Sequence, residues 1–469
     1  MIKNSPFRYL IIYLPFLLAL LLRSDPHVSY LTAWAGSFFI FFISFSGFLK
    51  VLPKDYPVSQ QLMRPIFFMQ LIFVGYMSCT SIFYYVGILG YKYFDYVGKS
   101  LGIYASSFDT IAQCQRYYAL GHAALVHGIF MAMKYPVKEK YVAYVPSISN
   151  LLLGMCVICF PLGVVFAKIG ALSQFSVAFT GLSFVSGTVG LAFAIREKKK
   201  GNYYFGICLF MLNLVSSLSS GFKEPVIVCV LLLGVYLLPI FGKKIIPFFS
   251  VILLFLFFVL PTFIGNFRNL TGNGVDVITA RDESINAVLN SGKEGLLEDN
   301  WVFLTDRISE IKMFTQFADN TPYFTPYYQF KLVKNAISMI IPRFFWPDKP
   351  VVEDLVMERV YTAQITSRDS SVSAKPAFIV DCYLSYGVIG VWIGLFLYGY
   401  SAQRIAQKAD QLFGGYFLGT SVIFAGLFQI YWRGNCFEFM ANNIFWSYVT
   451  MLIIFRVLRA RSILELKTN

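Results

Sequence analysis

The chain has 469 residues, 57% of them hydrophobic and only 14% charged. A soluble domain carries about a quarter of its residues as charges, and the runs of ~20 apolar residues that recur here match a helix crossing a ~30 Å hydrocarbon layer. One soluble core cannot bury so many such runs, so the fold class is an all-α polytopic integral membrane protein. The formal net charge of +14 does not mark a nucleic-acid surface: Arg268 to Lys375 holds 12 Lys/Arg and 14 Asp/Glu, net −2, which leaves +16 for the remainder, mostly in short loops.

About twelve apolar runs are predicted as spanning helices, at 7–22, 29–49, 65–90, 110–133, 144–168, 173–196, 202–222, 224–241, 245–265, 378–400, 412–432 and 438–458. The first resembles a signal peptide but has no small-residue cleavage site before Arg23, so it is read as a span. The fourth is the most polar, interrupted by Gln113, Gln115, Arg116, His122 and His127. Lys50, Lys54, Arg64, Lys134, Lys138, Lys140, Arg196, Lys243, Lys244, Arg404, Lys408 and Arg456 all fall on one side of such an arrangement. Short basic loops stay in the cytoplasm, so both termini are expected there. The organisation is then a bundle over 1–265, a large extracytoplasmic loop over 266–377 between the ninth and tenth spans, and a final group over 378–469. Within the loop, Asn269 to Asn300 reads as irregular. Trp301 to Phe317 has the three-to-four spacing of an amphipathic helix, and Tyr327 to Ile341 is a second helix stopped by Pro342.

Eight cysteines are scattered through apolar runs, a pattern of small filler residues and not of a disulfide framework. The three histidines lack zinc-ligand spacing, and the Walker A, GxGxxG, GxSxG and DxD patterns are missing. No metal or cofactor is expected.

The residues able to do chemistry cluster in and beside the loop. In Pro342-Arg343-Phe344-Phe345-Trp346-Pro347-Asp348-Lys349-Pro350 three prolines stiffen the backbone around Arg343 and Lys349. A guanidinium fork suits phosphate oxygens, and Trp346 offers a face to sugar rings; the structural alternative is an interfacial anchor. Lys223 follows Ser216 to Phe222 in a tight turn, beside Glu224 as a ready ion-pair partner. Asp381 opens Asp381-Cys382-Tyr383-Leu384-Ser385-Tyr386-Gly387 at the outer end of the tenth span, as general base or helix cap. Arg433 and Glu438 lie in a short outer turn, where a surface ion pair is the plain reading. Arg116 and His122 sit in the polar fourth span, where ionisable groups point to function, although a lone histidine also serves as a hydrogen-bonded packing residue.

Three of these segments resemble the Wzy-type oligosaccharide repeat-unit polymerases. Gly221-Phe222-Lys223 is similar to a Gly-x-Arg turn between middle spans, with Lys where relatives carry Arg, which gives up bidentate phosphate binding. Pro342 to Pro350 is similar to a Pro-Arg-x-x-Trp-Pro-x-Lys-Pro segment, and Asp381 to Gly387 to an acidic, aromatic, Gly-containing stretch after the loop. The resemblance implies a GT-C-like fold and transfer of a growing glycan from undecaprenyl diphosphate onto a lipid-linked repeat unit. It also implies a bacterial cytoplasmic membrane as the setting, with a flippase and a chain-length regulator as partners. In such a reaction Arg343, Lys349 and Lys223 would bind diphosphate, with Arg116, Arg268 and Arg433 as helpers and Asp381 or His122 as base. The rival readings are an O-antigen ligase, which uses another acceptor, and a lipid-linked oligosaccharide flippase, which moves substrate without covalent change.

Overall fold

A computed structural model describes residues 6–90, 107–219, 223–306, 308–368, 373–432 and 434–467. Apart from one small ribbon it is helical. In chain order the helices are α1 (Leu14–Leu21), α2 (Pro26–Phe45), α3 (Pro65–Phe73), α4 (Ser81–Ile88), α5 (Phe108–Ala132), α6 (Ile148–Lys168), α7 (Ser173–Arg196), α8 (Lys200–Ser219) and α9 (Lys223–Phe241). They continue as α10 (Ile245–Gly272), α11 (Val277–Asn290), α12 (Gly292–Asp306), α13 (Ile311–Asn320), α14 (Lys331–Ser338), α15 (Val352–Thr362), α16 (Phe378–Leu412) and α17 (Phe437–Ala460). The ribbon pairs β1 (Tyr141–Ala143) antiparallel with β2 (Leu464–Leu466), which ties the C-terminus to the bundle.

Among the described residues eight segments are long and apolar enough to cross a membrane, the longest, Val226–Gly272, taking in most of α9 and all of α10. Several predicted spans differ from a plain apolar helix; the third is interrupted by a π-turn over Val74–Cys79. The first is a shorter apolar helix, Arg8–Leu21. The eleventh is broken into a π-turn over Gly419–Phe424, a short helical piece over Ala425–Leu427 and a 3-10 turn over Gln429–Tyr431. The fourth, α5, is polar for a structural reason: it is the central helix, walled by α2, α3, α13 and α16. Gln115, Tyr118 and His122 are fully buried in it. Polar side chains are tolerated at membrane depth where they face protein and find partners, so the low hydropathy of α5 records its central place.

Glycine lets two backbones meet at this centre. A Cβ on Gly128 would overlap the Phe396 carbonyl, and one on Gly399 would overlap that of Leu125. Small residues at such crossings allow the close van der Waals contact that holds membrane helices together. The paired positions rise together, Gly121 against Val391 and Leu395, Gly128 against Phe396 and Tyr400, so α5 and the later part of α16 run parallel.

Hydrogen bonds at the two ends of α5 show what gathers at each end of the bundle. At the start of α5 the Thr110 hydroxyl donates to Asp319 of the polar stretch at 2.6 Å. At its finish Lys50 Nζ donates to the Met133 carbonyl at 2.5 Å and Gln407 Nε2 to the Lys134 carbonyl at 2.8 Å. The Lys140 amide meets the Gln411 carbonyl, and the Lys467 amide meets that of Lys140. The basic loops around 50 and 134–140 and the last turns of α16 over 404–411 therefore gather at one end, and the polar stretch at the other.

Helix α16 is not the straight tenth span expected. The Phe378 and Tyr398 rings lie 4.9 Å apart, whereas twenty residues of straight helix extend about 30 Å. A Cβ on Gly394 would overlap Cys382 Sγ. The chain reverses at Tyr386 (φ −146°, ψ 28°) and Gly387 (φ 59°, ψ −138°), so Phe378–Ser385 is the short arm of a hairpin laid back on Val388–Leu412. Reversal frees the last carbonyls of the short arm, which must be satisfied where water is scarce. The Tyr328 and Gln329 amides do so, donating to Leu384 and Ser385 at 2.8 and 3.0 Å.

The polar stretch is more ordered than its sequence suggested. Asn269 to Asn300 is helical over most of its length, because Asp276 caps α11 by accepting from the Ile278 and Thr279 amides and Ala280 packs on Phe263 and Phe267. The single helix expected over Trp301 to Phe317 is two: α12 ends at Asp306, Glu310 adopts φ 55°, and α13 turns to bury Ile311, Phe314 and Phe317. The helix expected over Tyr327 to Ile341 shortens to α14.

Gly387→Ala is expected to lower stability by about 1–3 kcal/mol, because its backbone conformation excludes a side chain and the Tyr327 ring already crowds the position. Thermal unfolding in detergent measures it, with Gly265→Ala, which meets nothing within 4 Å, as the control.

Candidate functional site

The densest buried charge among the described residues joins three segments. Helix α15 carries Val356, Met357 and Val360 on its buried side. Arg359, three residues after Val356 and one before Val360, shares that face and is 2% exposed. Its guanidinium binds Glu438 with both forks, Nη1 to Oε1 at 3.0 Å and Nη2 to Oε2 at 2.8 Å. Nη2 also donates to Asp381 Oδ2 at 2.8 Å. Asp381 and Glu438 are each 0% exposed. The Phe437 amide, at the start of α17, donates to the same Asp381 oxygen at 2.8 Å, and the positive end of a helix favours such an anion. Burial alone disfavours the Arg359 cation; the two carboxylates outweigh it and hold its pKa above the ordinary guanidinium value. One cation faces two anions, so the cluster carries a formal −1. Among the described residues Asp381 Oδ1 and Arg359 Nε have no hydrogen-bond partner.

Asp381, Cys436 and Glu438 offer ligand atoms within 4.8 Å of one another, a grouping the sequence did not suggest. A cation drawn to them would compete with the guanidinium that already holds both Glu438 oxygens and Asp381 Oδ2.

The other predicted residues separate by role. His122 is fully buried, with Nε2 3.1 Å from Gln70 Oε1 and Nδ1 without a partner among the described residues. It ties α5 to α3, which is the packing role, and no surface reaches it. Arg116 is half-buried and donates to the Ser29 hydroxyl at 2.8 Å. Arg268 is exposed near the end of α10. The Lys223 and Glu224 side chains, the turn 220–222 and Arg433 lie outside the described residues. The surface pair expected of Arg433 and Glu438 is corrected on the Glu438 side, since that carboxylate is buried on Arg359.

The prolyl-aromatic segment divides its two cations. Lys349 is buried, and its Nζ donates to the Met339 and Ile341 carbonyls at 2.6 and 2.8 Å. It caps the C-terminal end of α14 and is not held out to a ligand. Burial and the neighbouring Arg343 both lower its pKa. Arg343 is exposed, with only long contacts to the Pro347 and Pro350 carbonyls at 3.4 and 3.5 Å. Phe344 and Phe345 are 74% and 75% exposed, and Trp346 is half-buried. The segment is anchored by Trp446, whose Nε1 donates to the Ile340 carbonyl at 3.1 Å. Nine residues separate Trp446 from Phe437, about 14 Å along α17.

Residues 14–466 match the family described as a domain of unknown function (DUF8712). The chain belongs to that family. The match takes in the hairpin, the polar stretch and α17 together, so the DUF8712 unit includes every residue of the charge cluster. No curated protein and no solved structure matches the chain.

Arg359 was missed by sequence reasoning. Its signal was an arginine on the apolar stripe of a helix formed by residues 352–362, a segment read as loop. Arg359→Met is expected to destabilise the fold by about 3–5 kcal/mol by leaving two buried carboxylates without a cation. Arg359→Lys should recover only part of this, since ammonium lacks the fork that holds Glu438. Chemical unfolding of both variants measures the difference.

Proposed function

We propose that this protein is a membrane glycosyltransferase of the repeat-unit polymerase type. Its substrates are glycans linked to undecaprenyl diphosphate, met at the outer face of a bacterial cytoplasmic membrane. About twelve spans, cytoplasmic termini and a GT-C-like bundle belong to this reading.

One observation supports it above the others. The prolyl-aromatic segment is bracketed by Tyr328–Gln329 on one side and Arg359 on the other, and both dock on the Asp381–Gly387 hairpin. Two of the three segments that carry the resemblance thus share one assembly, although about thirty residues of chain separate them.

The chemistry needs an acceptor hydroxyl aligned with the donor sugar and a departing diphosphate neutralised. Positioning and electrostatics supply much of the acceleration in such transfers. Arg343 is the group best presented for the diphosphate, being exposed and only weakly engaged. Lys349 supports it from behind by fixing the backbone of the turn. Asp381 and His122 are closed off from solvent, which favours positioning over proton abstraction for both. Asp381 then acts through Arg359, by holding α15 and the hairpin in register.

A transporter reading draws support from the hairpin and the broken stretch over Gly419–Tyr431, since discontinuous helices recur at transport sites. Purified protein given undecaprenyl-diphosphate-linked repeat units separates the readings. A ladder of polymer supports the polymerase, a single addition to another acceptor supports the ligase, and translocation without covalent product supports the transporter. Arg343→Ala is expected to insert normally and to lose long-chain glycan; wild-type chain lengths in that variant would refute the role of Arg343.

A further inference from the structure

A second candidate site lies at the opposite end of the bundle. A cleft of about 600 Å³ opens between Lys50–Asp55 and Met133–Pro136, where α5 finishes and the basic loops gather. Its polar rim is cationic. Lys54 and Lys134 are exposed, and their ammonium groups have no hydrogen-bond or ion-pair partner among the described residues. Lys50 lies between them and donates to the Phe130 and Met133 carbonyls at 2.6 and 2.5 Å. Burial first, and then the like charges of Arg8 and Lys134, lower the Lys50 pKa.

Nearby acids do not balance this charge. Asp55, on the cleft wall, gives both oxygens to Arg64 at 2.8 and 2.5 Å. Glu139 pairs with Lys467 at 3.0 Å, and Asp410 is buried against Thr420. The floor is apolar, from Leu52, Pro53 and Met133. Val51, which lines the cleft, is 65% exposed, and Phe42 on α2 and Phe48 just past its end are exposed as well. The hollow is thus cationic above, apolar below and open towards the flank that faces lipid.

We infer that this cleft binds the phosphate headgroup of an anionic phospholipid, with Lys54 and Lys134 on the phosphate and the acyl chains leaving over Val51. An inorganic phosphate shares the charge chemistry, but the apolar floor and the exposed flank favour the lipid. The site lies towards the finish of α5, whereas the arm bearing the charge cluster meets α5 at Gly121 through Ile379, about twelve residues or about 18 Å of helix before Met133, and it stands independently of the glycosyltransferase reading.

The test uses the full chain in neutral detergent, titrated with a fluorescent phosphatidylglycerol. Saturable binding is expected, weakened at least about tenfold in Lys54→Glu/Lys134→Glu and by raised salt. Phosphatidylcholine and inorganic phosphate at millimolar concentration should not displace the probe. Should the double Glu variant fail to fold, Lys54→Gln/Lys134→Gln replaces it with the same direction expected. Unchanged affinity in the folded variant overturns the site. Displacement by inorganic phosphate alone overturns the assignment to a lipid. Polymer synthesis is not part of the readout, so failure here leaves the proposed activity untouched, and the reverse.

Discussion

One guanidinium and two carboxylates, all closed off from water, hold three separate segments of this protein together. Removing such ions from water costs several kcal/mol each, and their mutual attraction repays it only with close geometry and further hydrogen bonds. Arg359 supplies the geometry through its fork on Glu438 and its second contact to Asp381. The start of α17 supplies the extra donor through the Phe437 amide. The three partners come from a helix of the polar stretch, from the hairpin and from the last long helix. Their need for one another fixes how the polar stretch returns to the bundle.

The scarcity of water explains the neighbouring features as well. A chain that reverses inside a membrane protein must find internal partners for the peptide groups it frees. The carbonyls of Leu384 and Ser385 find the amides of Tyr328 and Gln329. Those of Met339 and Ile341 find Lys349, and that of Ile340 finds the Trp446 indole. The stretch over 266–377 is therefore stitched to the bundle by backbone hydrogen bonds and is no detached loop. Lys349, which charge alone marked as a phosphate ligand, is occupied by this task, and Arg343 is the cation left facing outwards.

The apolar runs, the basic loops at one end and the polarity of the stretch between α10 and α16 were all legible from residue types in order. The polarity of α5 was visible too, in Gln115 and His122, but its meaning was not: the same residues suit an active helix or a central one. Gly128 and Gly399 decide for the centre, because only contact between two backbones explains why neither position has room for a Cβ. The hairpin escaped notice because Phe378 to Tyr400 reads as a continuous helical pattern, and one Gly387 in such a pattern has several uses. The Arg359 cluster escaped because Asp381 and Glu438 lie 22 and 79 residues away from it. Sequence order brought Arg433 forward as the partner of Glu438 instead.

By itself the sequence determined the solvent. The length and apolarity of its runs demand a lipid layer, and the distribution of Lys and Arg separates a basic end from a polar one. Hydropathy and charge act locally, so these properties survive without knowledge of any contact. Which ionisable groups are free and which are spent was decided only by tertiary structure. A buried charge is tolerable only beside partners that the fold brings from elsewhere, so the roles of Arg359, Asp381, Glu438 and Lys349 existed only once the chain had closed around them.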